Sequence, residues 1–243
     1  MRKWTRRAAL LGGGAAVGAL AHRGFSARQP TLAGTELIGQ TTPAGTLNDA
    51  SLLSATPVHK HVTLTQDAGD ALVTALRREM DAAKAAGRPV NVSAARHSMG
   101  GQSLPRGGHA ITFDNAMVEP DVAKGTYRVH AGARWHQVIA ALDPIGYSPK
   151  VMQSNNDFGV AATFCVNAHG WPAPLGPMGS TVRSIDLLTP DGNLVTCSRE
   201  QEAELFYQTM GGYGLTGAIV ALDVEMVKNA RLAPTFDKMP AEA

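Results

Sequence analysis

Residues 95–103 have the composition of a loop that binds a phosphate group through its backbone. They are Ala95, Arg96, His97, Ser98, Met99, Gly100, Gly101, Gln102 and Ser103. A turn of small residues presents successive N–H groups to one point, and such a nest binds anions. Glycines let the chain pass close to a ligand, and the serine and glutamine side chains add donors. We therefore predict a diphosphate-binding loop, the alternative being an ordinary surface loop.

Two later segments are also rich in small residues. The second segment, Ser154 to Gly170, contains Gly159 to Ala162, whose small side chains allow close packing against a flat ring or a phosphate. The start of a buried, alanine-rich helix explains the same residues equally well. In the third segment, Gly211 to Val220, a glycine turn leads into an apolar strand. The chain has neither a P-loop nor a GxGxxG fingerprint, so the common nucleotide motifs do not apply.

Hydrophobic patterns predict two groups of elements that position these segments. The first group contains strands at 58–64, 89–94 and 110–113 and a helix between its N-cap, Asp67, and Gly87. The second contains strands at 127–131, 182–188, 194–197 and 217–227 and helices at 135–142 and 202–210. Helix crossovers favour parallel pairing, whereas the turn at residues 190–193 predicts a hairpin. We expect an α+β fold of two α/β subdomains, 57–117 and 118–228.

Together, in this order and spacing, the three segments resemble the FAD-binding domain of the vanillyl-alcohol oxidase family, also called the p-cresol methylhydroxylase (PCMH) type. The family pattern HSxxGQS matches at His97 to Ser103. The string Asn167 to Gly170 is similar to strings of the sugar-lactone and alditol oxidase branch. The resemblance runs from Val58 to Val227.

The resemblance implies that FAD lies between the two subdomains. It implies that the loop from Arg96 to Ser103 holds the pyrophosphate and that residues 156–170 line the flavin and the ribityl chain. The matching positions of the second segment are Asn156, Gly159, Ala162, Thr163, Asn167, His169 and Gly170. Ile219 matches a family position whose backbone meets the cofactor.

Two histidines and two tryptophans have alternative interpretations. Many family members bond a histidine at the position of His97 to the 8α-methyl group of the flavin, but a loop histidine can also hydrogen-bond to a phosphate or to the backbone. His169 either tunes the flavin through a hydrogen bond or caps a turn. Trp135 lies on the apolar face of a predicted helix, where we expect a core residue. Trp171 lies in a proline-containing loop, where it can line the mouth of a pocket.

The chain departs from the family pattern at the flavin site and in length. Ala161 and Ala162 stand where the family usually has two glycines, and each added methyl group must fit beside the cofactor. Family enzymes also carry a substrate-binding domain after the flavin domain, which usually supplies the catalytic residues. We expect only a tail at residues 229–243, so the catalytic residues are unknown and a separate cap-domain chain is a candidate partner.

The predicted function is FAD-dependent oxidation of a small-molecule substrate, an alcohol, sugar or lactone, with electrons passing to oxygen or another acceptor. A second hypothesis is a flavin-binding subunit or truncated module that has no activity without a separate cap domain. A third is an exported binding protein without a flavin. A neighbouring open reading frame for the cap domain would favour the second hypothesis.

Composition and charge exclude several other classes of protein. Hydrophobic residues make up 44% of the chain and charged residues only 17%, which excludes a disordered charged tail. Of the 22 basic residues, four lie in an N-terminal segment that we expect to be removed, and 20 acidic residues oppose the others. This balance does not resemble a nucleic-acid-binding protein. Cys165 and Cys197 form no metal-ligand pattern with histidines, so we expect no metal site.

The N-terminus has the layout of a twin-arginine signal peptide, residues 1–21. A basic segment that includes Arg6-Arg7 precedes an apolar stretch from Ala8 to Leu20, and Ala19 to Ala21 matches a cleavage pattern. The stretch is too short and too rich in glycine for a stable membrane span. We expect a periplasmic or secreted protein, with residues 22–56 as a linker or a loosely packed N-terminal arm.

We expect the substitution of Arg6-Arg7 by Lys-Lys to block export, because the twin-arginine machinery recognises the arginine pair. Cell fractionation measures the exported share. An unchanged periplasmic yield would show that the protein uses the general secretory route or is not exported through this signal.

Overall fold

The computed structural model describes residues 42–170, 175–231 and 233, which lie in one compact unit. Helices and two main sheets of different types confirm the predicted α+β class. The predicted signal peptide, Trp171 and most of the predicted tail lie outside the described residues. Within the described part of the chain, no helix is long and apolar enough to cross a membrane.

The elements follow the order of the chain. The strands are β1 (Thr46–Leu47), β2 (Thr56–Pro57), β3 (Lys60–Leu64), β4 (Val90–Ser93), β5 (His109–Phe113), β6 (Val118–Asp121), β7 (Thr126–His130), β8 (Tyr147–Pro149), β9 (Val182–Leu188), β10 (Leu194–Ser198) and β11 (Ala218–Lys228). The helices are α1 (Asp70–Ala85), α2 (Trp135–Leu142), α3 (Val160–Cys165) and α4 (Ala203–Thr209), with 3-10 turns at Asp143–Ile145 and Met178–Ser180.

The first sheet is parallel, as the helix crossover predicts. β3 and β4 both pair with β5, which lies between them. The apolar stripe of α1 places Leu72 and Leu76 in the same buried core as Leu64 and Ile111. The loop of residues 95–103 leaves this sheet at the carboxyl end of β4, the end at which ligands bind in open parallel sheets.

The start of α1 differs from the expectation. Its N-cap is Gly69, which makes no side-chain capping bond, so Asp67 is not the cap. The carboxylate of Asp67 instead accepts a hydrogen bond from Nδ2 of Asn115 at 2.8 Å. A tertiary contact with the chain that follows β5 has replaced the local capping bond.

The second sheet is antiparallel and is organised by β11. This strand pairs with β7 on one side and β9 on the other, and its last residues pair with β8. The order is β10-β9-β11-β7-β6, and β9 and β10 form the hairpin that the turn at residues 190–193 predicts. β5 of the first sheet ends at Phe113 and β6 of the second begins at Val118.

Several short elements were not predicted. They are β1, β2, β6 and β8, whereas α3 is the helix start that was one of the two interpretations of the second segment. Strands of two to four residues are too short to show a hydrophobic period. β1 and β2 pair with each other in the segment that the sequence suggests is a linker or a loosely packed arm. Asp49, between them, is only 2% exposed and Thr56 only 6%, so these two residues of the segment are packed against the rest of the protein.

Trp135 anchors α3 to α2. Its side chain is fully buried, as predicted for a core residue. Its Nε1 donates a hydrogen bond to Oγ1 of Thr163 at 3.0 Å, and the Thr163 hydroxyl donates to the carbonyl oxygen of Gly159 at 2.8 Å. This buried chain of hydrogen bonds fixes the backbone at the start of α3. Cys165, at the other end of α3, is free, as is Cys197.

We expect Trp135→Phe to lower the free energy of unfolding by about 1–3 kcal/mol, because it removes the N–H donor to Thr163 and leaves a small void. Urea denaturation followed by circular dichroism measures the change. Tyr207→Phe, at a residue 51% exposed, is the control and should change stability by less than about 0.5 kcal/mol. Equal stability of Trp135→Phe and the wild type would contradict the anchoring role.

Candidate functional site

The loop of residues 95–103 has a backbone that is left-handed at two positions. Arg96 has a φ angle of 50° and Gly101 one of 75°. A left-handed conformation costs a residue with a side chain about 1–2 kcal/mol, so Arg96 needs outside support. Its carbonyl oxygen accepts hydrogen bonds from the N–H groups of Ala50 (2.9 Å) and Ser98 (2.8 Å). Its Nε donates to the carbonyl oxygen of Asn48 at 3.2 Å.

Three exposed residues of the loop keep backbone N–H groups available. Within the part of the chain that the structure describes, the N–H groups of His97, Met99 and Gln102 have no protein acceptor. All three residues are exposed. Free N–H groups on a turn with left-handed residues are the donor set of an anion-binding nest. The loop therefore fits a diphosphate group.

A buried carboxylate contacts the same loop. Oδ2 of Asp49 accepts hydrogen bonds from Oγ of Ser98 and N–H of Gly101, both at 2.9 Å. Oδ1 accepts bonds from the N–H and hydroxyl groups of Ser51. Burial by itself raises the pKa of Asp49, but the hydrogen bonds from Ser51, Gly101 and Ser98 outweigh it and hold the pKa below its usual value. Asp49 is thus ionised at neutral pH.

His97 belongs to a hydrogen-bonded set that joins the first and second segments. Its Nε2 lies 2.6 Å from Oδ2 of Asp157, and Nη1 of Arg134 donates to Oδ1 of Asp157 at 2.7 Å. The bonds from His97 and from Arg134 lower the pKa of Asp157, so the carboxylate is ionised and accepts a hydrogen bond from Nε2–H. In the neutral form of the imidazole, Nδ1 then carries the free lone pair. The imidazole is 22% exposed and packs on the ring of Phe158 with centroids 4.5 Å apart.

The three segments meet around α3. A Cβ atom on Gly159, at the N-cap of α3, would lie 3.1 Å from Cβ of Ala94, at the end of β4. At the other end of α3, the carbonyl oxygens of Phe164 and Cys165 accept hydrogen bonds from the N–H groups of Gly211 (3.1 Å) and Tyr213 (3.0 Å). The small residues Ala94 and Gly159 allow the close approach at the first contact, and backbone hydrogen bonds make the second.

The residues of α3 divide between core and surface. Ala161 is 7% exposed and belongs to the hydrophobic core, whereas Ala162 is exposed. Of the two methyl groups that depart from the family pattern, only that of Ala162 is therefore accessible to a cofactor. The hydroxyl of Thr163 is buried and bonded within the protein, so it contributes to packing.

The remaining predicted residues surround this region, and their contact with a cofactor stays a prediction. Asn167 has a left-handed φ angle of 45°, and its Oδ1 accepts a hydrogen bond from N–H of Gly179 at 2.9 Å. His169 is exposed, with Nδ1 3.4 Å from the carbonyl oxygen of Gly170. A Cβ atom on Gly170 would lie 2.6 Å from Cγ1 of Val151, so this position has no space for a side chain.

Two further predicted residues lie at the edges of the segments. Asn156 is exposed, and its carbonyl oxygen accepts a hydrogen bond from N–H of His136 at 2.7 Å. Ile219 lies in β11 opposite Leu187 of β9 and is 5% exposed. Whether their backbones meet a cofactor also stays a prediction.

Sequence reasoning missed Asp49, Arg134 and Asp157. Asp49 precedes Gly101 by 52 residues, and Asp157 follows His97 by 60 residues. No local pattern connects residues so far apart in the chain. The one signal that could have directed attention to Asp157 is a carboxylate beside Gly159, at the edge of a segment already expected to line a cofactor.

Comparison with known proteins identifies one family model and several relatives. A family model described as an FAD binding domain matches residues 72–198. L-galactono-1,4-lactone dehydrogenase 1, mitochondrial, from Oryza sativa subsp. japonica is 30% identical over 188 residues, which are 76% of this chain and 32% of that protein. Cytokinin dehydrogenase 7 from the same organism is 32% identical over 139 residues, 54% of this chain and 26% of that protein.

A third relative is L-galactono-1,4-lactone dehydrogenase, mitochondrial, from Arabidopsis thaliana. It is 28% identical over 159 residues, which are 65% of this chain and 26% of that protein. The matched part of this chain thus spans no more than about a third of the length of these curated relatives.

Proposed function

The chain belongs to the FAD binding domain family, and we propose that it is the flavin-binding part of an oxidoreductase that acts on a small alcohol, sugar or lactone. FAD is its cofactor. One observation carries the proposal. The family match over residues 72–198 includes both the loop of residues 95–103 and the start of α3, which the contacts Ala94–Gly159 and His97–Asp157 bring together.

The loop would hold the pyrophosphate of FAD. The free N–H groups of His97, Met99 and Gln102 are donors for its oxygens. The guanidinium group of Arg96, which donates to Thr112 at 2.8 Å, adds positive charge at the same place. Burial and the neighbouring Arg134 lower the pKa of Arg96, but an arginine remains charged at neutral pH.

The second and third segments would hold the rest of the cofactor. Gly159 and the exposed Ala162 present small surfaces beside the loop. The further proposed contacts are Asn156, Asn167, His169, Gly170 and Ile219, whereas Thr163 packs within the protein. When bound, FAD supplies the oxidation by accepting a hydride from the substrate. Relatives named as L-galactono-1,4-lactone dehydrogenases favour a sugar or lactone as the substrate class.

A flavin-binding subunit without activity of its own is the second candidate function. The family match is to an FAD binding domain, and the matched part spans 32% of the rice lactone dehydrogenase. A cap-domain chain would then be the partner that completes the active site. Oxidation of a lactone by the purified chain alone would exclude this candidate.

We further propose that His97 is bonded covalently to the flavin. Asp157 holds the imidazole through Nε2, which leaves the lone pair of Nδ1 free to attack the 8α-carbon. The new C–N bond replaces one C–H bond of the methyl group. One proton leaves the methyl group and one leaves the imidazole, and the two electrons of the broken C–H bond reduce the flavin. Molecular oxygen takes up two electrons and two protons to give hydrogen peroxide, which restores the oxidised flavin.

Export through the twin-arginine route to the periplasm or the medium also remains a proposal. The pair Arg6-Arg7 before an apolar stretch supports it. Since that route carries folded proteins, it suits a chain that acquires a cofactor before export.

The purified full chain should bind FAD. We expect it to show the absorbance bands of an oxidised flavin, or to acquire them when FAD is added, because the loop offers free N–H donors beside the small residues of α3. Absorbance spectroscopy after gel filtration measures the bound flavin. A colourless protein that does not take up added FAD would overturn the proposed function.

His97→Ala should abolish covalent attachment, and Asp157→Asn should slow it by about tenfold or more, because an amide at residue 157 can donate to Nε2 and so favour the tautomer with a proton on Nδ1. Flavin fluorescence of the protein band after denaturing electrophoresis measures attachment over time. Asp191→Asn, in the exposed β9–β10 turn, is the control with the same change of charge. Flavin that separates from denatured wild-type protein would refute the covalent bond but not FAD binding.

A further inference from the structure

The structure points to Asp49 as a positioning residue that holds the loop of residues 95–103 in the conformation that binds the diphosphate of FAD. The inference rests on the role proposed above for this loop. Asp49 lies outside residues 72–198, which the family model matches. Its part in the site comes from its contacts alone.

The loop requires support from outside itself. N–H groups that are kept free for a ligand cannot stabilise the loop by pairing with its own carbonyl groups. The left-handed conformation of Arg96 adds strain, and such strain persists only where the surrounding structure over-determines it. Neighbouring residues must therefore supply the bonds that the loop does not make internally.

The segment of residues 46–57, called the arm below, supplies these bonds. Asp49 accepts hydrogen bonds from Ser98 and Gly101, the first and last residues of the turn at 98–101. Gly101 also packs closely on the arm, because a Cβ atom at this position would lie 3.4 Å from Cβ of Ser54. Two further bonds join Arg96 to Asn48 and Ala50, the residues on either side of Asp49.

A competing role for Asp49 is that of an internal anion that occupies the nest and must leave before FAD binds. Three observations favour positioning. Asp49 uses Ser98 and Gly101 and leaves the N–H groups of His97, Met99 and Gln102 without an acceptor among the described residues. Its other oxygen is held by Ser51 of its own arm. Finally, Asp49 is 2% exposed, so its departure would require the arm to move with it.

The test compares Asp49→Asn with Asp191→Asn, which makes the same change of charge in an exposed turn. Both are made in the full chain with His97→Ala, so that no covalent bond obscures reversible binding. An amide at residue 49 has one acceptor oxygen and turns its NH₂ group towards donors. We expect Asp49→Asn to weaken binding of FAD by about tenfold or more, since it removes charge-assisted hydrogen bonds.

Riboflavin, which has no phosphate, is the probe that separates positioning from a general loss of structure. We expect its affinity, measured by quenching of flavin fluorescence, to be equal in Asp49→Asn and Asp191→Asn. An unchanged or tighter affinity for FAD in Asp49→Asn would overturn the inference, and a tighter one would identify Asp49 as a competing anion. An equal loss of affinity for FAD and riboflavin would also overturn it.

The remaining outcomes are also decisive. If circular dichroism shows that Asp49→Asn does not fold, Asp49→Glu replaces it, because it keeps the charge but moves the carboxylate by one methylene group. It should also weaken FAD binding, and unchanged affinity would overturn the inference. A His97→Ala background that fails to bind FAD while the wild type binds it would overturn the inference alone. Failure of the wild type itself to bind FAD would overturn the proposed function.

Discussion

Backbone N–H groups that are to bind a phosphate must have no partners within the protein. This constraint governs the site, because a loop that keeps such donors free has little with which to stabilise itself. Here the support comes from the carboxylate of Asp49, which takes one backbone donor, Gly101, and one side-chain donor, Ser98. The exposed N–H groups of His97, Met99 and Gln102 remain available. The hydrogen bonds that Asp49 accepts thus support the loop, while the other N–H groups stay without a partner among the described residues.

The two sheets give this loop a rigid setting. The parallel sheet presents the loop at the carboxyl end of β4, and the antiparallel sheet is held together by β11. The helix α3 is anchored through the bond between Trp135 and Thr163, and Gly159 at its N-cap lies against Ala94. A ligand site made of backbone and small side chains depends on such anchoring, since those residues have few interactions of their own with which to keep their positions.

In a flavin-dependent oxidoreductase, the cofactor and the protein have different tasks. FAD carries out the electron transfer, and the protein binds and orients it. The described residues offer what binding and orientation require, namely anion donors, small surfaces, and a histidine oriented by the pair Asp157 and Arg134. The matched parts of the present chain span 32% and 26% of two curated relatives.

The sequence by itself determined the α+β class, the main strands and helices, the burial of Trp135 and the family, because these follow from local periodicity, turn residues and short motifs. Only the tertiary structure showed that Asp67 does not cap α1, that residues 46–57 pack against the loop, and that Asp49 and Asp157 reach it. The reason is physical. Periodicity reports which face of an element is buried, but a single hydrogen bond between residues 52 or 60 positions apart leaves no repeating pattern in the chain.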